Sequence, residues 1–295
     1  MTREQDSAVE FPKYSDEWYV DLYFRHGSVE EVLKAHDFSL PISVAQYHRK
    51  VKQFGVIKSA GRHSSLTEAL YFFAQKALEP NIPLEKLYYS RMPLSFRTSI
   101  QSLHRVYRNT EQRIIQRQAT ALVLSPEGDN EQILVGDEKT ENIKFGKKKG
   151  DTSVLMSFSG KNESNYQSVL RVLQQEFSTD LVRSGELKVD GSLASEIIPE
   201  DAQPFMYLDI MDVRVSVYHL ELPHILCSLG ECSSYKLGNH RFLHISDFED
   251  RVIQFRQGMK EIAAGYANYL QRDPNFVPDI QLSFLNQQIL AYQEV

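Results

Sequence analysis

Apolar and polar positions in the first third of the chain repeat with the period of short amphipathic helices. Each predicted helix is preceded by a serine, whose side-chain oxygen can accept a hydrogen bond from the first turn. The three predicted helices are Ser15–His26, a short helix that begins after Ser28, and Val44–Phe54. Gly27 and Gly55 follow the first and third helices, and glycine commonly ends a helix. The pattern therefore predicts a three-helix unit.

A helical connector is predicted to follow in residues 63–111. Ser65 and Glu68 have the spacing of a capping box and predict the start of a helix that continues through Lys76. Prolines then interrupt the pattern. Ser95–Asn109 is predicted as a second, longer helix, because apolar residues recur on one side and basic residues on the other.

Beyond residue 112 the pattern changes to that of strands. Ile114–Ser125 is rich in strand-forming residues, and a turn leads to a returning strand, Gln132–Val135. Further strands are predicted at Val154–Phe158, Leu187–Val189, Phe205–Ile210 and Val213–Leu220, and helices at Ser164–Ser178, Arg256–Leu270 and Ile280–Tyr292. The chain is therefore predicted to be α+β, with an all-α region in residues 1–62 and a mixed-sheet domain in residues 112–295.

A length of 295 residues suits about two domains. The sequence has no apolar run of about 20 residues, the length that spans a membrane, and Met1–Glu10 has no apolar signal segment. Cys227 and Cys232 are predicted to be ordinary thiols, because nothing nearby completes a zinc site. We therefore expect a cytoplasmic protein with no membrane partner.

Charge is divided unevenly along the chain, although the formal net charge is only −6. Residues 38–118 hold 13 Lys and Arg against 4 Asp and Glu, whereas residues 119–295 hold 16 against 26. A basic segment of this kind favours an anionic partner such as DNA. The alternative is that the basic segment packs on the acidic domain of the same chain.

The sequence of two short helices, a break and a third helix resembles a helix-turn-helix DNA-binding domain over Ser15–Arg62. In such domains the last helix enters the major groove and its first turns meet base edges. The resemblance implies DNA contacts from the third helix and the basic arm behind it, through Ser43, Gln46, Arg49, Lys50, Lys52, Lys58 and Arg62. It also leaves a homodimer open. A helical cap or a dimerisation module is the alternative interpretation.

The order of hairpin, strand, Gly-Lys loop, helix and further strands resembles the Nudix hydrolase fold, an α/β/α sandwich with a mixed sheet. That family's box reads G-x5-E-x7-R-E-U-x-E-E-x-G-U, with U aliphatic, and its carboxylates hold Mg²⁺ against a diphosphate. Four residues stand at its E, R, U and E positions: Glu163, Arg171, Leu173 and Glu176.

The resemblance implies catalytic roles for Glu163, Arg171 and Glu176, with Gln175 and Glu176 as ligands of a Mg²⁺ cofactor. Lysine is a good point charge for phosphate. Lys148, in a lysine-rich loop, and Lys161 are therefore candidates for contacts with a ligand phosphate.

The box departs from the family pattern where metal ligands should stand. Val172 and Gln175 replace two of the glutamates, and Ser157 and Ser178 replace both glycines. An alternative alignment places Ser159-Gly160-Lys161 on the family's Gly-Gly-Lys with the same helix register. Mg²⁺ prefers charged oxygen ligands, and valine offers none, so these losses favour binding over hydrolysis.

Three functions are compatible with these features. The first is a DNA-binding regulator whose Nudix-like domain senses a nucleotide-type ligand without hydrolysing it. The second is a Mg²⁺-dependent hydrolase of nucleoside diphosphate derivatives, and the third is a non-catalytic protein-interaction module. A basic segment and an incomplete box in one chain favour the first.

Overall fold

The computed structural model describes residues 14–58, 64–94, 96–139, 149–160, 162–228, 234–272 and 276–291. The helices before the first strand are α1 (Asp16–His26), α2 (Val29–Ala35), α3 (Val44–Gln53), α4 (Ser64–Leu78), α5 (Leu84–Arg91) and α6 (Ile100–Glu111). The three serines expected to begin the first helices all do so. Ser15, Ser28 and Ser43 each accept a hydrogen bond from a backbone N–H three residues later, at 3.2–3.3 Å.

The last connector helix, α6, begins five residues later than the sequence pattern predicts, at Ile100 instead of Ser95. The Glu68 carboxylate explains the difference. It accepts hydrogen bonds from the backbone N–H groups of Arg97 and Thr98 at 3.0 and 2.6 Å, which holds this segment outside the helix. Ser99 then caps α6.

The C-terminal half contains two sheets. Their strands are β1 (Arg117–Pro126), β2 (Gln132–Glu138), β3 (Thr152–Ser153), β4 (Leu155–Phe158), β5 (Met206–Ile210), β6 (Val213–Leu222), β7 (Leu237–His244) and β8 (Asp279–Leu282). Among the described residues, one mixed sheet has the order β4-β1-β6-β5-β8 and an antiparallel sheet has the order β3-β2-β7. The β1–β6 and β5–β8 pairs are parallel, so the expected mixed sheet is confirmed.

Helices cover both faces of the mixed sheet. They are α7 (Asn165–Val172), followed by a π-helical turn (Leu173–Phe177), α8 (Asp180–Arg183), α9 (Ser192–Ile197), α10 (Met259–Leu270) and α11 (Phe284–Ala291), with short 3-10 turns at His224–Leu226 and Ile245–Glu249. The side chains of β1 alternate between two cores: Leu122 and Leu124 pack with α7, whereas Ala121 and Val123 pack with α10. This arrangement has the layers of an α/β/α sandwich.

Two predicted elements are wrong. Leu187–Val189 lies in turns and bends instead of a strand. The helix predicted over Ile280–Tyr292 begins as the edge strand β8, which pairs with β5, and only then becomes α11. In the second case a tertiary pairing overrides the local apolar pattern.

The N-terminal helices share cores with the rest of the chain. Residues of α1, α2 and α3 pack in one cluster with α7 and with the side chains of β1 and β6 that face α7. Tyr19, Tyr47 and Val51 are almost fully buried in this cluster. The connector helices form a second cluster with α11, centred on Phe72 and Phe73. The boundary at residue 62 stays a prediction, and apolar packing continues across it. No described helix has the length and apolar character needed to cross a membrane.

His219 on β6 is a partly buried titratable group that contacts Tyr266 of α10. Its Nε2 lies 2.8 Å from Ser125 Oγ and 2.9 Å from Tyr266 Oη, and burial lowers its pKa to about 4. In an unfolded chain the pKa of histidine is about 6.5. The folded state therefore keeps His219 neutral at a pH where the unfolded state takes up a proton.

We predict that the free energy of unfolding falls as the pH is lowered from about 6.5 to about 4, with His219 contributing up to about 3 kcal/mol. His219→Gln should lose this part of the pH dependence, measured by urea denaturation across that range. His224→Gln, at an exposed histidine, is the control. An unchanged pH dependence in the His219 variant would contradict the prediction.

Candidate functional site

The helix that carries the Nudix-like box is buried along most of its length. Ser164 begins α7 with a reciprocal capping box to Gln167, and the helix continues as the π-helical turn Leu173–Phe177. Every residue from 168 to 177 is buried. The π-helical turn is the last turn of this helix, which ends at Ser178 in extended backbone. The polar side chains of this stretch therefore require partners from other parts of the chain.

Arg171 is fully buried and holds the first box carboxylate. Its Nε donates to Glu163 Oε1 and Oε2 at 3.0 and 3.1 Å, and its Nη1 donates to Ser157 Oγ at 2.9 Å. Ser168 Oγ donates to the same carboxylate at 3.1 Å. A Cβ on Gly160 would come within 2.7 Å of Glu163 Oε1, so glycine allows this close approach. Glu163 is therefore fixed as an anchor for Arg171.

Lys236, just before β7, neutralises the second box carboxylate. Its Nζ donates to Glu176 Oε1 at 2.5 Å and to Gln175 Oε1 at 3.3 Å. The Glu176 side chain is only 4% exposed, whereas that of Lys236 is 36% exposed. Ser157 Oγ also lies 3.3 Å from Gln175 Oε1, which joins the two halves of the site. The Lys236 ammonium thus binds the Glu176 and Gln175 oxygens that were expected to ligate a metal.

The Mg²⁺ ion that the family resemblance implies does not fit these donors. Glu163 is paired with Arg171, Glu176 is paired with Lys236, and Gln175 contributes a neutral carbonyl. Mg²⁺ prefers near-octahedral coordination by charged oxygen ligands and water. In the described part of the chain, no group of three or more His, Cys, Asp or Glu side chains could hold a metal ion.

Gln174 ties the box helix to the segment that follows α3. Its Oε1 accepts a hydrogen bond from Ile57 N at 2.9 Å, and its Nε2 donates to Gly55 O at 2.9 Å and to Leu187 O at 2.8 Å. Gln174 is fully buried, so these bonds are shielded from water. The end of the three-helix unit is thereby joined to the residue next to Gln175.

A partly open cavity of about 130 Å³ lies on the other face of the mixed sheet. Leu70, Tyr71 and Ala74 of α4 form one wall, and small or apolar side chains of the sheet form the floor. Its polar lining includes Ser157 and Arg256. A cavity of about 150 Å³ binds benzene in another protein, so this one has room for a single small ring.

The residues expected to contact DNA are only partly available on α3. Ser43 and Gln46 bond to each other's backbone in a capping box, and Lys50 pairs with Asp16. Arg49, Lys52 and Lys58 are exposed. Arg62, Lys148 and Lys161 lie outside the described residues. Of the basic residues expected to contact DNA, Arg49, Lys52 and Lys58 are thus the exposed ones in the described part of the chain.

Two residues of the site were missed by the sequence interpretation. Lys236 is 60 residues from Glu176 along the chain, and its neighbourhood has no recognisable motif. Gln174 falls at a variable position of the box. The only sign of its role in the sequence was a hydrogen-bonding amide among apolar residues of the predicted helix, because a buried amide needs hydrogen-bond partners.

No family model matches the chain, and no curated protein matches it. Among solved structures, it is similar to an ADP-ribose pyrophosphatase from Streptococcus suis, with 12% identity, a TM-score of 0.35 and coverage of 56% of this chain and 98% of that one. An Ap4A hydrolase from C. elegans has 12% identity and a TM-score of 0.34, covering 52% and 98%. A MutT protein from Methanosarcina mazei has 8% identity and a TM-score of 0.35, covering 54% and 95%.

These TM-scores and identities are too low to indicate the chemistry of the site. The residues brought together are two paired carboxylates, a buried arginine, a glutamine and a lysine. Such a set is neutral overall, with Lys236 as its partly exposed N–H donor, and it contains no free carboxylate to act as a base.

We predict that Gln174→Leu lowers the free energy of unfolding by about 3 kcal/mol, because it leaves the buried Leu187 carbonyl, the partly buried Gly55 carbonyl and the partly buried Ile57 N–H without their partner. The Ile57 amide should also lose protection from hydrogen exchange. Gln53→Leu, at an exposed position of α3, is the control. Unchanged exchange at Ile57 would show that the Gln174 bond does not hold this segment.

Proposed function

We propose that this protein is a ligand-responsive DNA-binding regulator, with a Nudix-like domain that binds a nucleotide-type ligand and does not hydrolyse it. The observation that carries the proposal is the cavity between α4 and the mixed sheet. One wall belongs to the helical connector and the rest to the C-terminal domain, so a ligand there would contact both parts.

The lining of the cavity suits the ring of a nucleotide. Tyr71 and Phe158 offer aromatic surface, and Arg256 offers a cationic side chain. The Arg256 guanidinium uses its Nη1 for Glu138 at 3.1 Å. An arginine has further N–H donors with which to meet an anionic or carbonyl group of the ligand. Ser157 connects the cavity to the Arg171–Gln175 network.

A path from ligand to DNA is supported by the contacts of the box helix. Ser157 lines the cavity and lies within hydrogen-bond distance of Gln175, whose neighbour Gln174 bonds to Gly55 and Ile57 behind α3. A ligand that moves β4 would therefore act on the base of the proposed DNA-contacting helix. A hydrolase is the competing function, and it needs Glu163 or Glu176 released from its partner.

We predict that Ala74→Phe, which fills the cavity from α4, weakens binding of a pyrimidine nucleoside diphosphate such as UDP or CDP at least tenfold, a loss of about 1.4 kcal/mol. Isothermal titration measures it. Ala264→Phe, which adds the same side chain at an exposed position of α10, should bind as the wild type does. Failure of the wild type to bind any such compound refutes the ligand part. Mg²⁺-dependent turnover of one would support the hydrolase instead.

We predict that Arg49→Ala and Lys52→Ala each weaken binding to duplex genomic fragments several-fold, and that binding falls steeply as salt is raised, because phosphate contacts release counterions. Lys86→Ala, at an exposed lysine of α5, is the control. Fluorescence anisotropy at two salt concentrations measures both effects. Absence of binding even at low salt would refute the DNA-binding part.

A further inference from the structure

Lys236 is built into the site by more than its ion pair. Its backbone N–H donates to Ser234 Oγ at 3.1 Å, and Ser234 Oγ donates to the Gln175 carbonyl at 3.0 Å. The backbone carbonyl of Lys236 accepts a hydrogen bond from Lys139 N at 2.9 Å. The ammonium is therefore carried on a segment that is fixed at both ends to the box helix and to the end of β2.

The charges around Lys236 balance without a metal. Glu176 contributes one negative charge, Gln175 is neutral and Val172 is apolar. One ammonium neutralises that single carboxylate at 2.5 Å. A divalent cation at the same oxygens would stand beside the lysine, and like charges at such distances repel strongly in a partly buried site.

We propose that Lys236 permanently takes the place of the divalent cation at this site, so that a phosphate-bearing ligand is bound without metal. An ammonium has three N–H donors. Glu176 and Gln175 accept two of them, and the 36% exposure of the Lys236 side chain leaves the third for a phosphate oxygen. This ligand half rests on the proposed function, whereas the exclusion of metal does not.

The first test measures metal binding directly, with Mn²⁺ as the probe and electron paramagnetic resonance as the readout. The wild-type chain should bind no stoichiometric Mn²⁺ at micromolar concentrations. Gln175→Glu places a second carboxylate beside Glu176. Combined with Lys236→Met it should gain a Mn²⁺ site, whereas Gln175→Glu alone, with Lys236 still in place, should not. Lys236→Arg keeps the charge and should also bind none.

Two results would overturn the metal exclusion. One is stoichiometric Mn²⁺ on the wild type that disappears in Glu176→Gln. The other is a folded Gln175→Glu/Lys236→Met variant that gains no more Mn²⁺ than Gln175→Glu alone, since the lysine would then not be what excludes the ion. If the double variant does not fold, the wild type and Gln175→Glu decide the question, because stoichiometric Mn²⁺ on either would contradict exclusion by Lys236.

The second test uses inorganic pyrophosphate as a probe of the phosphate contact. Wild-type binding should be equal in Mg²⁺ and in EDTA, and Lys236→Met should weaken it about tenfold or more. Tighter wild-type binding in Mg²⁺ would contradict metal-free recognition. Absence of any pyrophosphate or nucleotide binding would refute the ligand half and the proposed sensing function together, while the Mn²⁺ result would stand on its own.

Discussion

Burial of the box helix is the constraint on which the rest of the site depends. Residues 168–177 are all buried, and an unpaired polar group in the interior costs about 1–3 kcal/mol. Arg171, Gln174 and Glu176 lie in this stretch, and their partners come from the preceding loop, the segment after α3 and the start of β7. Hydrogen bonds thus hold the helix to three other segments of the chain, two of which are at least 60 residues away in sequence.

This constraint explains why the N-terminal region is part of the same structure. The three-helix unit packs on the sheet face that carries the box helix, and Gln174 holds its end there. Helix α4 reaches the opposite face and borders the cavity. A displacement of side chains on either face of the sheet would therefore also displace a helix from the first third of the chain: α1–α3 on one face, or α4 on the other. Such contacts suit a protein that responds to a ligand better than one whose domains act separately.

The sequence was most informative where the determining contacts are local. Serine caps act over three residues, so the starts of α1, α2 and α3 were predictable. The start of α6 was not, because Glu68 reaches the backbone near Thr98 from 30 residues away. The box spacing indicated that Glu163 and Arg171 belong to one site. The partner of Glu176 had no such signal, since Lys236 meets it only after the mixed sheet and β7 are assembled.

Charge matching relates the uncharged residues on the box helix to the presence of Lys236. A site with several carboxylates requires a multivalent cation, because several like charges cannot be buried together unneutralised. With Val172 and Gln175 in place of two glutamates, only Glu176 remains on this part of the helix. A single ammonium then balances it, and the helix can be buried with the pair intact. The uncharged residues on the box helix and Lys236 are therefore consistent only when taken together, and together they leave one balanced ion pair on a buried helix.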